Sequence, residues 1–244
     1  MRSRPKLGLL FLHALPLDGS MWAGQSNLPV QSTYMPTLYT LGESTQAWAA
    51  SVLNDVAEER LIVVGCSVGG SCALDVAAAV PDRVAALVLI GTKANHRPDP
   101  QLHSLALETI KSDGLYAAWE KFWAPLFSKR ASESVISNAK AIFDRQSTEN
   151  IKKGITAFHT RPSRDDVLST FPGQITIISG ADDTTPGLKV SAAQAKAARN
   201  GSLILIPDCG HYVPLEKPKR LNEILREVIQ AQGGGPELHF SAET

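Results

Sequence analysis

The sequence predicts an α/β protein in which helices flank a mostly parallel sheet of about six strands, with one helical insertion. Short, nearly continuous aliphatic runs bounded by turn residues alternate with longer helical patterns along the 244 residues. Continuous apolar runs are typical of strands buried on both faces of a helix-covered parallel sheet. A content of 43% hydrophobic and 20% charged residues is ordinary for a globular chain and argues against disorder and coiled coil.

The predicted elements follow one another in a regular order. Six runs are interpreted as strands: Leu7–Leu12, Ser32–Leu38, Leu61–Val64, Val84–Ile90, Ile175–Ile178 and Ser202–Ile206. The second run is not continuously apolar, and a loop is its alternative interpretation. Helices are predicted over Thr45–Glu59, Val68–Val80, Ser191–Arg199 and Pro218–Ala231.

One stretch, residues 95–170, breaks this alternation, because it has no good strand and carries several aromatic residues among helix formers. We interpret it as a helical cap inserted into a core of residues 1–94 and 171–232, at the sheet edge where ligands bind. The alternative is an ordinary helical subdomain that keeps most of its aromatics in a small core of its own. Residues 233–244 contain three consecutive glycines and no apolar period, which predicts a flexible tail.

Charge and cysteine content argue against several kinds of partner. Lys plus Arg number 24 and Asp plus Glu number 24, without a long block of one sign, so no nucleic acid is expected. Three cysteines in a chain large enough to build its own core do not predict a disulfide framework, and a reducing, cytoplasmic location is expected. No cofactor is expected, nor a metal, because no pair of histidines or cysteines has ligand spacing.

The start of the chain superficially resembles a signal peptide, with basic residues before the apolar run Leu7–Leu12. The run is short and ends at His13, which belongs to a segment with a predicted functional role. No other apolar stretch approaches the roughly 20 residues needed to cross a bilayer. Neither a cleaved signal nor a membrane partner is therefore expected.

The strongest functional signal is the G-x-S-x-G motif of residues 65–69, centred on Ser67, between a predicted strand and a predicted helix. In that context a sharp strand-to-helix turn strains the serine backbone and exposes its hydroxyl at the sheet edge. N–H groups of the helix N-terminus then lie beside the serine, where they suit a developing oxyanion. The motif also occurs by chance in glycine-rich turns, but its flanking elements favour Ser67 as a nucleophile.

A serine nucleophile needs a base and a group that orients the base. Of the six histidines, His211 fits best, because it follows the last predicted strand and a glycine. Asp182 and Asp183 both follow the strand Ile175–Ile178, and the residues alone leave the choice between them open. The three groups are so far apart in the sequence that they can meet only through the fold.

Four motifs in this order resemble those of the α/β-hydrolase fold family over nearly the whole chain: residues 12–22, 65–70, 180–183 and 210–211. The resemblance implies that Asp183, the last residue of a G-x-x-D motif, is the acid of a Ser-His-Asp triad. It also implies an oxyanion hole formed by the backbone N–H groups of Leu15 and Val68. His13 would then hold the shape of the oxyanion loop, the segment of residues 12–22 that contains Leu15.

Three features qualify the resemblance. Ala14 stands where most relatives have glycine after the loop histidine, and its methyl group would constrain bulky substrates while leaving the N–H donor intact. The long N-terminal hairpin common in the family is missing, so six core strands are expected instead of eight. Cys66, beside the predicted nucleophile, is interpreted as a small buried hydrophobe rather than a reactive thiol.

The resemblance implies a serine hydrolase that cleaves a carboxylic ester or lactone of a small molecule through an acyl-enzyme. The alternatives are an enol-lactonase similar to those acting on 3-oxoadipate in aromatic degradation, or a C–C bond hydrolase. Trp22, Trp119 and Trp123 are candidate substrate-binding residues if they face inward. Arg145 and Arg161 are candidates to bind a carboxylated substrate, although a solvated surface position is more common for such arginines. A ligand sensor that keeps the triad but turns over slowly is the hypothesis of another class.

Overall fold

The protein contains a six-stranded sheet in which all strands run parallel. The computed structural model describes residues 6–233, so the predicted flexible tail lies outside the described residues except for Gly233. The strands are β1 (Leu7–Leu12), β2 (Ser32–Tyr34), β3 (Arg60–Cys66), β4 (Val84–Ile90), β5 (Gln174–Gly180) and β6 (Gly201–Ile206). The predicted α/β class is confirmed, and the strands agree with the predicted runs to within two residues except at β2, which ends four residues early.

The order of the strands is β2-β1-β3-β4-β5-β6. The chain moves outward from β1 to β2 and then returns past β1 to β3, so the direction of strand addition reverses between β1 and β3. In open α/β sheets such a reversal leaves a crevice at the carboxyl ends of the two strands, where ligands bind. The register pairs Leu12 of β1 with Gly65 of β3, which places the residues after both strands at one edge.

The central strands are buried because helices cover the sheet. Every residue of β1 is buried, and β3 and β4 each have only one residue that is not. The edge strands β2 and β6 keep partly or fully exposed residues. Continuous apolar runs therefore identified the interior strands β1, β3, β4 and β5. The run of β6 is also continuous, but this strand lies at the sheet edge with exposed residues, so the burial on both faces expected for it is wrong. The broken pattern of the second run belongs to a short edge strand.

Nine α-helices occur within residues 6–233: α1 (Thr45–Asp55), α2 (Val68–Ala79), α3 (Pro100–Ala118), α4 (Glu133–Phe143), α5 (Thr148–Thr160), α6 (Asp165–Thr170), α7 (Leu188–Ala197), α8 (Val213–Glu216) and α9 (Pro218–Ala231). Three short 3₁₀ segments cover Gly19–Gln25, Leu38–Thr40 and Ala124–Leu126, and a π-helical turn covers Trp119–Trp123. Capping explains several of the helix starts. Ser44, Ser132, Ser147 and Asp99 each accept a hydrogen bond from the N–H three residues ahead, at the starts of α1, α4, α5 and α3.

The helices α3 to α6 all lie between β4 and β5, in the region that the sequence predicts as a helical insertion, and we call residues 95–170 the cap segment. Its first helix, α3, is broken at Gly114, where φ is 87° and ψ is 175°. Near its end, Nε of Arg164 pairs with Oδ1 of Asp75 on α2 at 2.7 Å. The N–H of Arg164 also donates to the carbonyl of Ala94 at 2.9 Å, so the segment is attached to the sheet region at this point.

Candidate active site

The predicted site residues lie at one edge of the sheet. In a parallel sheet the carboxyl ends of all strands point to the same edge, so the loops that follow β1, β3, β5 and β6 gather there. Leu15, Ser67, Asp183 and His211 belong to these four loops. The sheet topology therefore brings these four residues to the same edge.

Ser67 occupies the sharp turn between β3 and α2. Its φ of 55° and ψ of −119° lie in a region that is rare for a residue with a Cβ atom and costs on the order of 1–3 kcal/mol. Its N–H donates to the carbonyl of Ile90 at 2.9 Å, which fixes the turn against β4. Ser67 is partly exposed whereas Cys66 and Val68 are buried, so the turn presents the serine alone.

Gly69 allows the start of α2 to lie directly against the end of β1. A Cβ atom at this position would collide with the carbonyl oxygens of Leu12 and His13. A larger residue would therefore push the helix away from the loop after β1. The second glycine of the motif thus holds the N-terminus of α2 beside that loop.

Two backbone N–H groups at this edge are available to an anion. The N–H groups of Leu15 and Val68 have no acceptor among the hydrogen bonds of residues 6–233. Val68 is the first residue of α2, where the helix dipole adds partial positive charge. The hydroxyl of Tyr212 donates to the carbonyl of Leu15 at 3.2 Å and so braces the loop.

His13 is held as a neutral ring under this loop. Its Nε2 accepts the N–H of Leu38 at 2.8 Å, which requires the proton to be on Nδ1, 3.1 Å from the carbonyl of Ala14. Burial lowers the pKa of His13 to about 4, in agreement with a neutral ring. The ring connects the loop after β1 to the segment at Leu38, so its role is to fix the shape of that loop.

His211 and Asp183 form a buried pair. Nδ1 of His211 lies 3.0 Å from Oδ2 of Asp183, and both side chains are at most 2% exposed. The other carboxylate oxygen accepts the N–H of Thr185 at 2.7 Å, so the acid is fixed on both sides. Asp182 is exposed and instead accepts the hydroxyl of Ser128 at 2.5 Å. Of the two candidate acids, the structure therefore brings Asp183 to the histidine.

Gly91, directly after β4, lets this pair come close to the serine turn. Its φ is 54°, and a Cβ atom there would lie 2.8 Å from Cε1 and Nδ1 of His211 and 3.1 Å from Oδ2 of Asp183. Gly91 and Ser67 line the same cavity. Within the described part of the chain neither the Ser67 hydroxyl nor Nε2 of His211 makes a hydrogen bond, and catalytic bonds of this kind often tighten only with substrate.

A cavity of about 200 Å³ opens beside Ser67. Its core side is lined by residues that follow strands, among them Gly91, Lys93, Thr184 and Thr185. Its cap side is lined by Phe158 and Arg161. The cap segment therefore contributes to the wall of the cavity that contains the serine.

The predicted substrate-binding tryptophans are not brought to this cavity. Trp22 is fully buried and packs on Phe11, with ring centroids 4.9 Å apart. Trp119 and Trp123 pack on Phe143, at centroid distances of 5.2 and 5.8 Å. None of the three is among the residues that line the cavity. The two cap tryptophans instead pack in a small aromatic core within the cap segment, as the alternative interpretation of that segment predicts.

The three cysteines are free and buried. Burial raises the pKa of the Cys66, Cys72 and Cys209 thiols, so they stay protonated at neutral pH. The Cys66 sulfur lies 3.8 Å from the backbone carbonyl of His211 and packs beneath the turn. A protonated, buried thiol is a poor nucleophile.

Sequence reasoning missed the cap side of the cavity. The surface position expected for Arg161 is wrong, because its guanidinium lies over the ring of Phe158 at 4.0 Å and the residue is 6% exposed. Arg145 does lie on the surface, 3.6 Å from Asp18. Gly91 could have been found, since it follows a strand as the other site residues do. No comparable signal marks the end of α5 that lines the cavity.

Residues 6–233 contain neither a membrane-spanning helix nor a cluster of metal ligands. No helix there is both long and apolar enough to span a membrane. No three His, Cys, Asp or Glu side chains there are grouped so that they could hold a metal ion.

The strand order and the sharp serine turn after β3 are those of an α/β hydrolase. The agreement extends to the sequence, because residues 9–224 match the alpha/beta hydrolase family, to which this chain belongs. The predicted family and the predicted class of enzyme, a hydrolase, are confirmed.

The curated relatives and solved structures that match most of this chain are about a quarter identical to it or less. The lipase LipV of Mycobacterium tuberculosis is 26% identical over 89% of this chain and 91% of its own length. A pimeloyl-acyl-carrier-protein methyl ester esterase of Aromatoleum aromaticum is 25% identical over 91% of this chain and 98% of its own. A malate-bound thermophilic esterase from Thermogutta terrifontis has a TM-score of 0.84 at 24% identity, covering 93% and 91% of the two chains. The enol-lactonase of Burkholderia xenovorans has a TM-score of 0.79 at 17% identity, covering 94% of each.

Proposed function

We propose that this chain is a serine hydrolase that cleaves a carboxylic ester or lactone of a small molecule, with Ser67 as nucleophile, His211 as base and Asp183 as orienting acid. The observation that carries the proposal is the buried 3.0 Å contact between His211 and Asp183, at the sheet edge that holds the strained Ser67. This contact leaves Nε2 of the ring to accept the serine proton. Relatives named as a lipase and a methyl ester esterase support the same type of bond.

In the first step, Oγ of Ser67 attacks the ester carbonyl carbon while its proton moves to Nε2 of His211. The carbonyl oxygen becomes an oxyanion, which the N–H groups of Leu15 and Val68 stabilise. Asp183 stabilises the imidazolium that forms. The bond to the leaving alcohol then breaks, and His211 gives its proton to the alcohol oxygen, leaving an acyl group on the serine.

Water completes the reaction by the same route. His211 takes a proton from the water as its oxygen attacks the acyl carbon. The bond to Oγ of Ser67 breaks, and the proton on His211 returns to the serine. The products are a carboxylic acid and an alcohol, or a single hydroxy acid when the substrate is a lactone.

The size and lining of the cavity support a small substrate and a cap. A volume of about 200 Å³ lies below the roughly 300–1,000 Å³ of pockets that hold drug-sized ligands. Phe158 and Arg161 on its wall come from residues 95–170, which supports the division into a core and a cap. The buried free thiols of the described chain support a reducing compartment such as the cytoplasm.

The test compares wild type with Ser67→Ala on p-nitrophenyl esters of short and medium acyl chains and on small lactones. Turnover should fall by about 10⁴-fold or more in the variant. A fluorophosphonate should label Ser67 of the wild type, as read from peptide masses. Ser169→Ala is the matched control, because it removes a hydroxyl whose partner is the carbonyl of Asp166 at 3.0 Å on the surface.

The outcomes separate the competing functions. A folded wild type that hydrolyses none of these substrates and resists the fluorophosphonate would overturn the hydrolase proposal. One rapid acyl transfer followed by no steady turnover would support the ligand sensor instead. A preference for lactones over esters of equal size would favour the lactonase alternative.

A further inference from the structure

A buried cation lies on the cap side of the cavity. Arg161, the residue after α5, is 6% exposed and lines the cavity beside Ser67. Its guanidinium carbon is 4.0 Å from the centroid of the Phe158 ring, and its Nη1 donates to the backbone carbonyl of Phe158. The ring and the carbonyl hold the guanidinium in one orientation on the cavity wall.

No acidic side chain neutralises Arg161 within residues 6–233. It takes part in none of the ion pairs there, and its Nε is buried without a hydrogen-bond partner. Burial lowers the pKa of Arg161 to about 10, so the side chain is still a cation at neutral pH. A buried charge with unpaired donors is unfavourable unless a negative group pairs with it and accepts its hydrogen bonds. A ligand can supply that group.

Lys93 brings a second cation to the same cavity. It follows β4, is exposed, and has no ion-pair partner among the described residues. In contrast, Arg130, Arg145 and Arg164 of the cap segment each pair with an acid, at 2.8, 3.6 and 2.7 Å. The cavity therefore brings together two cations that have no acidic partner among the described residues, whereas three arginines elsewhere in the cap segment are each paired with an acid.

We propose that the cavity takes an ester or lactone that carries a carboxylate, which Arg161 and Lys93 bind while Ser67 attacks the ester carbonyl. This substrate class rests on the hydrolase function proposed above. The planar fork of a guanidinium matches the two oxygens of a carboxylate. Phe158 and Val190 in the same cavity offer apolar contacts to the carbons between the two groups, and about 200 Å³ admits only a short chain.

Two methyl esters of equal chain length test the proposal. Monomethyl glutarate is an anion at pH 7.5, dimethyl glutarate is neutral, and the wild type should show the higher kcat/KM with the monomethyl ester. In Arg161→Gln, kcat/KM for the monomethyl ester should fall about 10- to 100-fold while that for the diester changes less than about 3-fold. Arg161→Lys keeps the charge without the fork and should restore part of the loss. Arg145→Gln, outside the cavity, should keep the wild-type preference.

Binding without turnover separates this proposal from the hydrolase function. Glutarate titrated calorimetrically into Ser67→Ala should bind, and binding should weaken about 10-fold or more when Arg161→Gln is added. Glutarate binding in a protein whose Ser67 resists fluorophosphonate would support the carboxylate site and overturn only the hydrolase function. Equal kcat/KM for the two esters and no glutarate binding, with Ser67 labelled, would overturn the carboxylate site and leave the hydrolase standing.

Discussion

The two walls of the cavity are built in different ways. On the core wall, Ser67, Gly91 and Thr184 follow strands, so the backbone of the sheet sets their positions. On the cap wall, Phe158 and Arg161 reach the cavity through their side chains, from the end of one helix. The proposed chemistry therefore lies on backbone-positioned residues of the sheet edge, and the proposed selectivity lies on side chains that can change without disturbing the sheet.

The largest effect is expected on the core wall, from Asp183→Asn. The variant keeps the size of the side chain but no longer holds the proton on Nδ1 of His211, so kcat for a p-nitrophenyl ester should fall by about 10⁴-fold. Asp182→Asn is the matched control, because this exposed neighbour contacts Ser128 instead. Similar losses in both variants would remove Asp183 from its proposed role.

The next effect tests how closely the core wall is packed. Gly91→Ala places a methyl group 2.8 Å from the His211 ring and should lower kcat about 100-fold by displacing it. Gly114→Ala is the matched control, since Gly114 also has a positive φ but would have nothing within 4 Å of its Cβ. Both variants should lose about 1 kcal/mol of stability from the strained backbone. Full activity in Gly91→Ala would show that the ring does not depend on this gap.

The core wall could be predicted from the sequence and the cap wall could not. A candidate site residue of the core follows an apolar run, and the parallel sheet carries every such position to one edge, so Ser67, Asp183 and His211 could be predicted to lie there. Which residues of α5 line the cavity depends on packing between distant elements, and no local pattern encodes it. The surface position expected for Arg161 is wrong for this reason, since residue type alone does not tell whether a side chain lies in a core, a cavity or solvent.

The ion pair between Arg164 and Asp75, which joins the cap segment to α2, should affect stability rather than activity. In Arg164→Gln, the carboxylate of Asp75, whose side chain is 3% exposed, loses its ionic partner. Urea unfolding should report a loss of about 2–3 kcal/mol, because a buried charge is left without compensation. Lys140→Gln breaks the exposed pair with Asp144 and should change stability by less than about 0.5 kcal/mol. Equal losses of stability in the two variants would mean that water solvates the Asp75 carboxylate once Arg164 is removed.

The core and the cap segment each contain a buried histidine, and both histidines should make folding sensitive to acid. Burial lowers the pKa of His13, in the loop after β1, and of His159, near Arg161, to about 4 in the folded protein, against about 6.5 in the unfolded chain. Between these values the unfolded chain binds more protons, so stability is full above pH 6.5 and is lost as the pH falls towards 4.

Urea unfolding at pH 7.5 and pH 5.0 measures the loss of stability, and variants at the two histidines separate the contributions of the core and the cap segment. His13→Gln should reduce the pH-dependent loss of the wild type by about 2 kcal/mol, whatever its effect at pH 7.5. His159→Gln should reduce it by less, because its ring is less completely buried and solvent screens its charge. Protonation of His13 would break the hydrogen bond from the N–H of Leu38, so its effect should extend to the loop after β1, which holds the proposed oxyanion donor Leu15, and to activity. An acid loss that disappears in His159→Gln but persists in His13→Gln would place the acid-sensitive step in the cap segment alone.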